Sequence, residues 1–345
     1  MSAKFPVTAE IAGDLIGMAL AELKLCNVTR RETMVVFSDT RTNSNYVSAF
    51  LASGKEVAGT VFELKIPVLP DGRGADIELA PIVKILKESH LIVDLSTGEF
   101  LHLHRKWLRE ILSGGARVLQ VRASDDQLRR CFPTEELRRR TLNGAEWLDR
   151  AKEIRVTSRA GTDLRMGKVG RPAGTQYGIS DVPGRWDSWP SGFLYCAPQE
   201  ETANGRLVMD VGDILVMLGR YVGAPIRIAV ERGNIINIEG GVDAVLLREH
   251  LEQSRDPEAF MISHIGWGTD ERARWTEVAQ RGTEDGARDA RSVYGNVQIA
   301  FGENFSFGGK NKTKAHEDLV LRQASFELDG TLVVKDGRIV PEDLQ

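Results

Sequence analysis

Up to about residue 145, short apolar runs alternate with longer stretches of helical spacing. TMVVFS (33–38), LIVDLS (91–96) and ARVLQVRA (116–123) are nearly unbroken in apolar character, the mark of strands buried on both faces. A further strand is expected over 57–66. Between the strands the spacing predicts helices over 8–25, near 45–52 after the loop DTRTNS, over 74–90, and in RKWLREILSGG, which ends on a glycine C-cap. Alternating strands and helices mean βαβ units and a mostly parallel sheet.

Beyond the charged helix 134–151 the pattern changes to two-residue alternation broken by turns. AKEIRVTSRAGTDLRMGKV, RLVMDVGDILVML, APIRIAVERGNIINIEGG and ELDGTLVVKDGRIV read as hairpins, with Arg-Gly-Asn, Leu-Asp-Gly and Lys-Asp-Gly turns. One helix, VDAVLLREHLEQS, interrupts them. The expected architecture is an α/β N-terminal domain over 1–148 with a mostly parallel sheet. A β-rich α+β domain follows over 149–345. A chain of 345 residues also exceeds what one core usually serves.

Composition narrows the function classes. Lys+Arg 45 against Asp+Glu 49 gives a net charge of −4, without the basic excess of a broad nucleic-acid surface. No apolar run reaches the ~18–20 residues that cross a membrane, and the N-terminal helix is amphipathic rather than signal-like. Cys26, Cys131 and Cys196 form neither a disulfide framework nor a metal motif. They read as small buried apolar residues in a reduced, cytoplasmic setting. No GxGxxG or GxxxxGK[ST] follows any strand, so no standard nucleotide site is expected.

Six histidines remain. His90 and His250 end helices and read as partly exposed C-terminal cations. His316 and Asp318, two apart on an extended segment, project to one face. They supply two-thirds of a facial triad for non-haem iron, with His264 as a source of the second imidazole and Gly266 and Gly268 letting the backbone approach. The same spacing also suits a surface ion pair or a strand-end hydrogen bond. His102 and His104 follow the strand at 91–96 at its C-terminal end, where open α/β sheets bind ligands. They read either as acid–base groups or as solvated loop residues. Trp186, Trp189, Phe193 and Tyr195 in GRWDSWPSGFLYCAPQE fit a flat-ring pocket or an apolar patch between domains.

Three blocks carry a family resemblance. WPSGFLYCAPQEETANGRLVMD, ISHIGWGTD, and VQIAFGENF followed by KAHEDLV resemble, in order and spacing, the motifs of the aminopeptidase T family of two-metal peptidases. The departures fall at that family's ligand positions. Phe193 and His264 stand where those peptidases have glutamates, and Gln298 stands where they have a histidine. His316 and Asp318 remain. Two histidines and one carboxylate suit a single Fe(II) with open positions.

This pattern is similar to the 2,5-dihydroxypyridine 5,6-dioxygenase branch of nicotinate degradation. The resemblance implies Fe(2+) held by His264, His316 and Asp318. It also implies an acid–base histidine on an N-terminal lid loop, His104 or else His102, in a site between the domains. The substrates implied are a small aromatic N-heterocycle and dioxygen, and the ring opens between C5 and C6 to N-formylmaleamate. Trp189 and Phe193 are expected to pack the ring and Gln298 to make a polar contact. Neither nucleic acid nor membrane is an expected partner, and a homo-oligomer is. A residual metallopeptidase using Zn or Co, and a metal-free binding relative, are the alternatives.

Overall fold

The computed structural model describes residues 9–68, 80–98, 100–102, 106–281 and 289–345. His104 and residues 74–79 of the expected helix 74–90 lie outside them. By their contacts the residues form two compact units. The first is 1–133 with 178–190, and the second is 134–177 with 191–345.

The first unit is built on a five-stranded sheet in the order Thr60–Ile66, Thr33–Asp39, Leu91–Asp94, Arg117–Val121, Trp186–Trp189. Every pairing is parallel. Val35, Phe37, Ile92 and Val118 are fully buried and pack with Leu86, Leu108 and Ile111 from the flanking helices. The loop DTRTNS opens helix Ser44–Val57 as expected, because the Asn43 side chain accepts the Asn45 N–H. That helix runs on to Val57, so the next strand begins at Thr60 rather than 57. Gly54 makes the overlap tolerable: a Cβ there would collide with the Met34 side chain and crowd both Val61 methyls. Gly115, at φ +89°, terminates helix Lys106–Ser113 in the left-handed region. His90 is exposed, as expected, but it lies beyond the end of helix Ala80–Lys87, and its Nδ1 accepts the Thr33 N–H at 3.1 Å instead of carrying a helix-end charge.

Two segments depart from the expected break at 148/149. Helix Glu135–Arg150 belongs to the second unit, where Gly144 lies against Leu194 and Trp267. Strand Trp186–Trp189 belongs to the first, paired parallel to Arg117–Val121. The aromatic segment is therefore divided: Trp186 and Trp189 lie in one unit, Phe193 and Tyr195 in the other.

The second unit holds two antiparallel sheets of eight and seven strands. Their inner faces share one core, in which Ile154, Leu207 and Ile228 of the first sheet join Ile265, Ile299 and Leu319 of the second. The expected turns at 232–234, 329–330 and 336–337 form, with Arg232 and Gly233, Asp329 and Gly330, and Asp336 and Gly337 all at positive φ. RLVMDVGDILVML is not a hairpin. Asn204–Met209 lies in the eight-stranded sheet and Ile214–Leu215 in the seven-stranded one. The Asp213 carboxylate fixes this change of sheet by accepting the Asp210 N–H at 2.8 Å and the Arg322 N–H at 3.0 Å. All three cysteines are buried and unbridged, as expected. Among the described residues no helix is long and apolar enough to cross a membrane.

Candidate metal centre

Alternation along the seven-stranded sheet separates core from chemistry. Leu194, Cys196, Ile265, Trp267, Val297, Ile299, Phe301, Leu319 and Leu321 all point into the shared core. Their neighbours in sequence point the other way. The register places Gly266 beside Tyr195 and Gln298, Gly268 beside Phe193, Ala300 beside Asp318, and Gly302 beside His316. The second face thus carries glycine and alanine around a few polar and aromatic side chains.

His264 reaches this face through a β-bulge. Ile262 pairs with Phe301 and Ile265 with Ile299, so Ser263 and His264 together stand opposite Ala300 alone. Both isoleucines can then enter the core while His264 is aimed outward. Asp318 flanks Ala300 from the other side. The smallest side chain able to hold the strand conformation thereby separates two that could ligate a metal.

The result is a tight triangle. His264 Nε2 lies 3.1 Å from Asp318 Oδ1 and 3.2 Å from His316 Nε2, and His316 Nε2 lies 3.4 Å from Asp318 Oδ1. These three residues form the only cluster of three or more ligand-type side chains among the described residues. Each of the three atoms carries a lone pair when the imidazoles are neutral and protonated on Nδ1, and one shared proton cannot satisfy all three contacts. A cation at their centre satisfies them together. The donor set, two imidazoles and one carboxylate from two strands, fits a mononuclear site of the facial-triad kind.

The surroundings favour a neutral His264 imidazole beside a charged Asp318 carboxylate. Burial holds the His264 pKa below its ordinary value, opposed by the adjacent Asp318. Burial by itself would raise Asp318, yet the nearby His316 and Arg291 and the imidazole contacts hold it well below the ordinary carboxylate range. Arg291 Nη1 donates to Asp318 Oδ2 at 2.8 Å. Its guanidinium also lies over the Phe193 ring, 5.4 Å from the centroid. Tyr195 and Phe307 wall the imidazoles, with ring centroids 5.3 and 4.9 Å from that of His264.

The residues singled out in the sequence fall into groups. His264, His316 and Asp318 converge. Phe193 and Gln298 sit on the same face of the same sheet. Trp189 lies in the first unit, fully buried and edge-on to Phe132 at 5.4 Å. His102, also in the first unit, is edge-on to Trp186 at 5.8 Å. His250 is not a plain helix-end cation: its Nε2 faces the buried Glu317 at 3.4 Å. Arg291 and Phe307 were not anticipated. Arg291 sits in an unremarkable charged segment, and the signal that finds it is that a buried Asp318 needs a cation.

The profile of the 2,5-dihydroxypyridine 5,6-dioxygenase family matches residues 14–341. The chain belongs to this family. Like the 2,5-dihydroxypyridine 5,6-dioxygenase of Pseudomonas putida, it is a ring-cleaving dioxygenase by descent: the two are 35% identical over 335 residues, covering 93% of this chain and 95% of that one. The solved structure of the 2,5-dihydroxypyridine dioxygenase from Pseudomonas putida KT2440 superposes with a TM-score of 0.91 at 34% identity, covering 99% of this chain and 100% of the other. AmpT from Thermus thermophilus shares the fold, with a TM-score of 0.65 at 16% identity over 95% of this chain and 99% of that one. The family's fold is thus the one expected from the peptidase-like motifs.

Proposed function

We propose that this chain opens the ring of 2,5-dihydroxypyridine between C5 and C6, using one Fe(II) held by His264, His316 and Asp318. Both atoms of dioxygen enter the product, N-formylmaleamate. The observation that carries the reading is the convergence of two imidazole nitrogens and one carboxylate oxygen on a single point. Iron bound there supplies a common centre at which the electron-rich ring and dioxygen meet.

The protein's own groups do the rest. Asp318 offers Oδ1 while Arg291 occupies Oδ2, which keeps the carboxylate oriented. Tyr195 and Phe307 set aromatic rings against the His264 imidazole and would limit the approach of water there. Phe193 presents an apolar ring on the same face. Trp189 and His102 keep their sequence-based roles as candidates for ring packing and as the alternative acid–base group. His104, the acid–base candidate from the sequence, would take the proton of the 5-hydroxyl. His104→Ala should then keep its iron and lose ~10²–10⁴-fold in turnover. A cytoplasmic homo-oligomer belongs to the same reading.

The test is iron content measured together with oxygen uptake on 2,5-dihydroxypyridine. Roughly one iron per chain and matched oxygen and substrate consumption are expected. Changing any one of the three ligands to Ala should abolish both while the circular dichroism stays folded. Two metals per chain in the active protein, or full activity in His264→Ala, would sink the reading.

A further inference from the structure

Gln298 is fully buried on the ligand-bearing face of the sheet. It is paired with Gly266 on one side and Val320 on the other, one alternation from Ala300 and Asp318. Glycine and valine offer no polar group. Neither Oε1 nor Nε2 of Gln298 has a hydrogen-bond partner among the described residues. Leaving a buried amide without partners is destabilising, and a methionine of nearly the same shape would avoid that cost. The amide therefore has a use outside the protein's own hydrogen bonds.

An amide end presents one donor and one acceptor side by side. Its natural complement is a second cis-amide edge, with N–H and C=O adjacent and reversed. Pyridines hydroxylated at position 2 have that edge in their lactam form: ring N1–H next to C2=O. A carbocyclic diphenol does not. We propose that Gln298 reads the lactam edge of the substrate by a paired hydrogen bond, Nε2–H to the C2 oxygen and N1–H to Oε1, and so selects 2-oxygenated N-heterocycles. This rests on the substrate class proposed above and adds which atoms are recognised.

The test compares 2,5-dihydroxypyridine with 3-hydroxypyridine, which keeps the ring nitrogen and the hydroxyl corresponding to position 5 but lacks the C2 oxygen. The iron-loaded wild type should bind 3-hydroxypyridine, measured as an inhibition constant, ~10–100-fold more weakly than it binds 2,5-dihydroxypyridine. In Gln298→Met, KM for 2,5-dihydroxypyridine should rise by a similar factor, while the inhibition constant of 3-hydroxypyridine moves less than about threefold. Iron content and unfolding temperature should hold or rise, since no protein hydrogen bond is lost. A drop in unfolding temperature with equal loss for both compounds would mean a structural amide and overturn the proposal. So would a wild type that binds the two compounds alike, a result that needs no variant. A wild type that consumes no oxygen with 2,5-dihydroxypyridine would instead overturn the functional reading, and this proposal with it.

Discussion

Arg291 donates to one oxygen of Asp318 at 2.8 Å while the other oxygen faces His264 at 3.1 Å and His316 at 3.4 Å. The carboxylate is thus divided between a permanent cation and a ligand position. Without Arg291 its plane would no longer be set. Arg291→Met should weaken metal binding ~10–100-fold, the usual cost of losing a group that orients a ligand. Arg291→Lys should recover part of it, since a point charge replaces a directed fork. Competition with a chelator of known affinity reads this directly. Unchanged affinity in Arg291→Met would show that the sheet alone orients Asp318.

Gly302 stands opposite His316 with φ +106°, and a Cβ there would overlap the Ala315 carbonyl oxygen. Gly302→Ala combines a left-handed backbone with a clash against the residue before His316. The backbone strain by itself should cost about 1–3 kcal/mol. Metal occupancy should fall as well, because relief of the clash moves the start of strand His316–Leu321. Urea unfolding and metal analysis of the same preparation check both parts. A destabilised variant that binds metal normally would separate fold from site.

Asp213 has its pKa raised to about 6, chiefly by burial, against the lowering effect of the Arg322 and Asp210 amides. A folded-state pKa above the unfolded one means the contribution to stability is fully present below the ordinary value near ~4 and is lost as pH rises through about 6. Unfolding free energy from this group should fall by at most about 1.4 kcal/mol per pH unit across that window. In Asp213→Asn that decline should be absent, though the variant loses part of the turn. Urea midpoints at a series of pH values give the slope. Identical slopes in both proteins would place the titration elsewhere.

The motif resemblance in the sequence sets Phe193 and Gln298 against ligand positions of the two-metal peptidases, and neither offers a carboxylate or imidazole. Leucine-containing dipeptides incubated with Zn, Co or Mn should release no amino acid. Release at a rate near that of ring opening would restore the hydrolytic reading.

What the sequence made legible were features set by local chemistry. The Asp-Gly and Arg-Gly turns formed because few residues accept positive φ. His316 and Asp318 share a face because a strand alternates. The features that escaped depend on distant partners. WDSW is four residues long with no apolar alternation, and only the open edge of Arg117–Val121 makes it a parallel strand. RLVMDVGDILVML has a hairpin's pattern, but Asp213 binds the Arg322 amide and turns the chain into the other sheet. Arg291 carries no motif, and its role exists only once Asp318 is buried beside it.

The bulge at Ser263 and His264 separates what the sheet can carry from what it must pack. At a bulge the ladder already lapses, so the residue there owes little to its neighbours across the strand. Position 264 can therefore exchange its side chain without disturbing the sheet or the core beneath it. One face of the sheet can then change its chemistry while the other face keeps the core as it was.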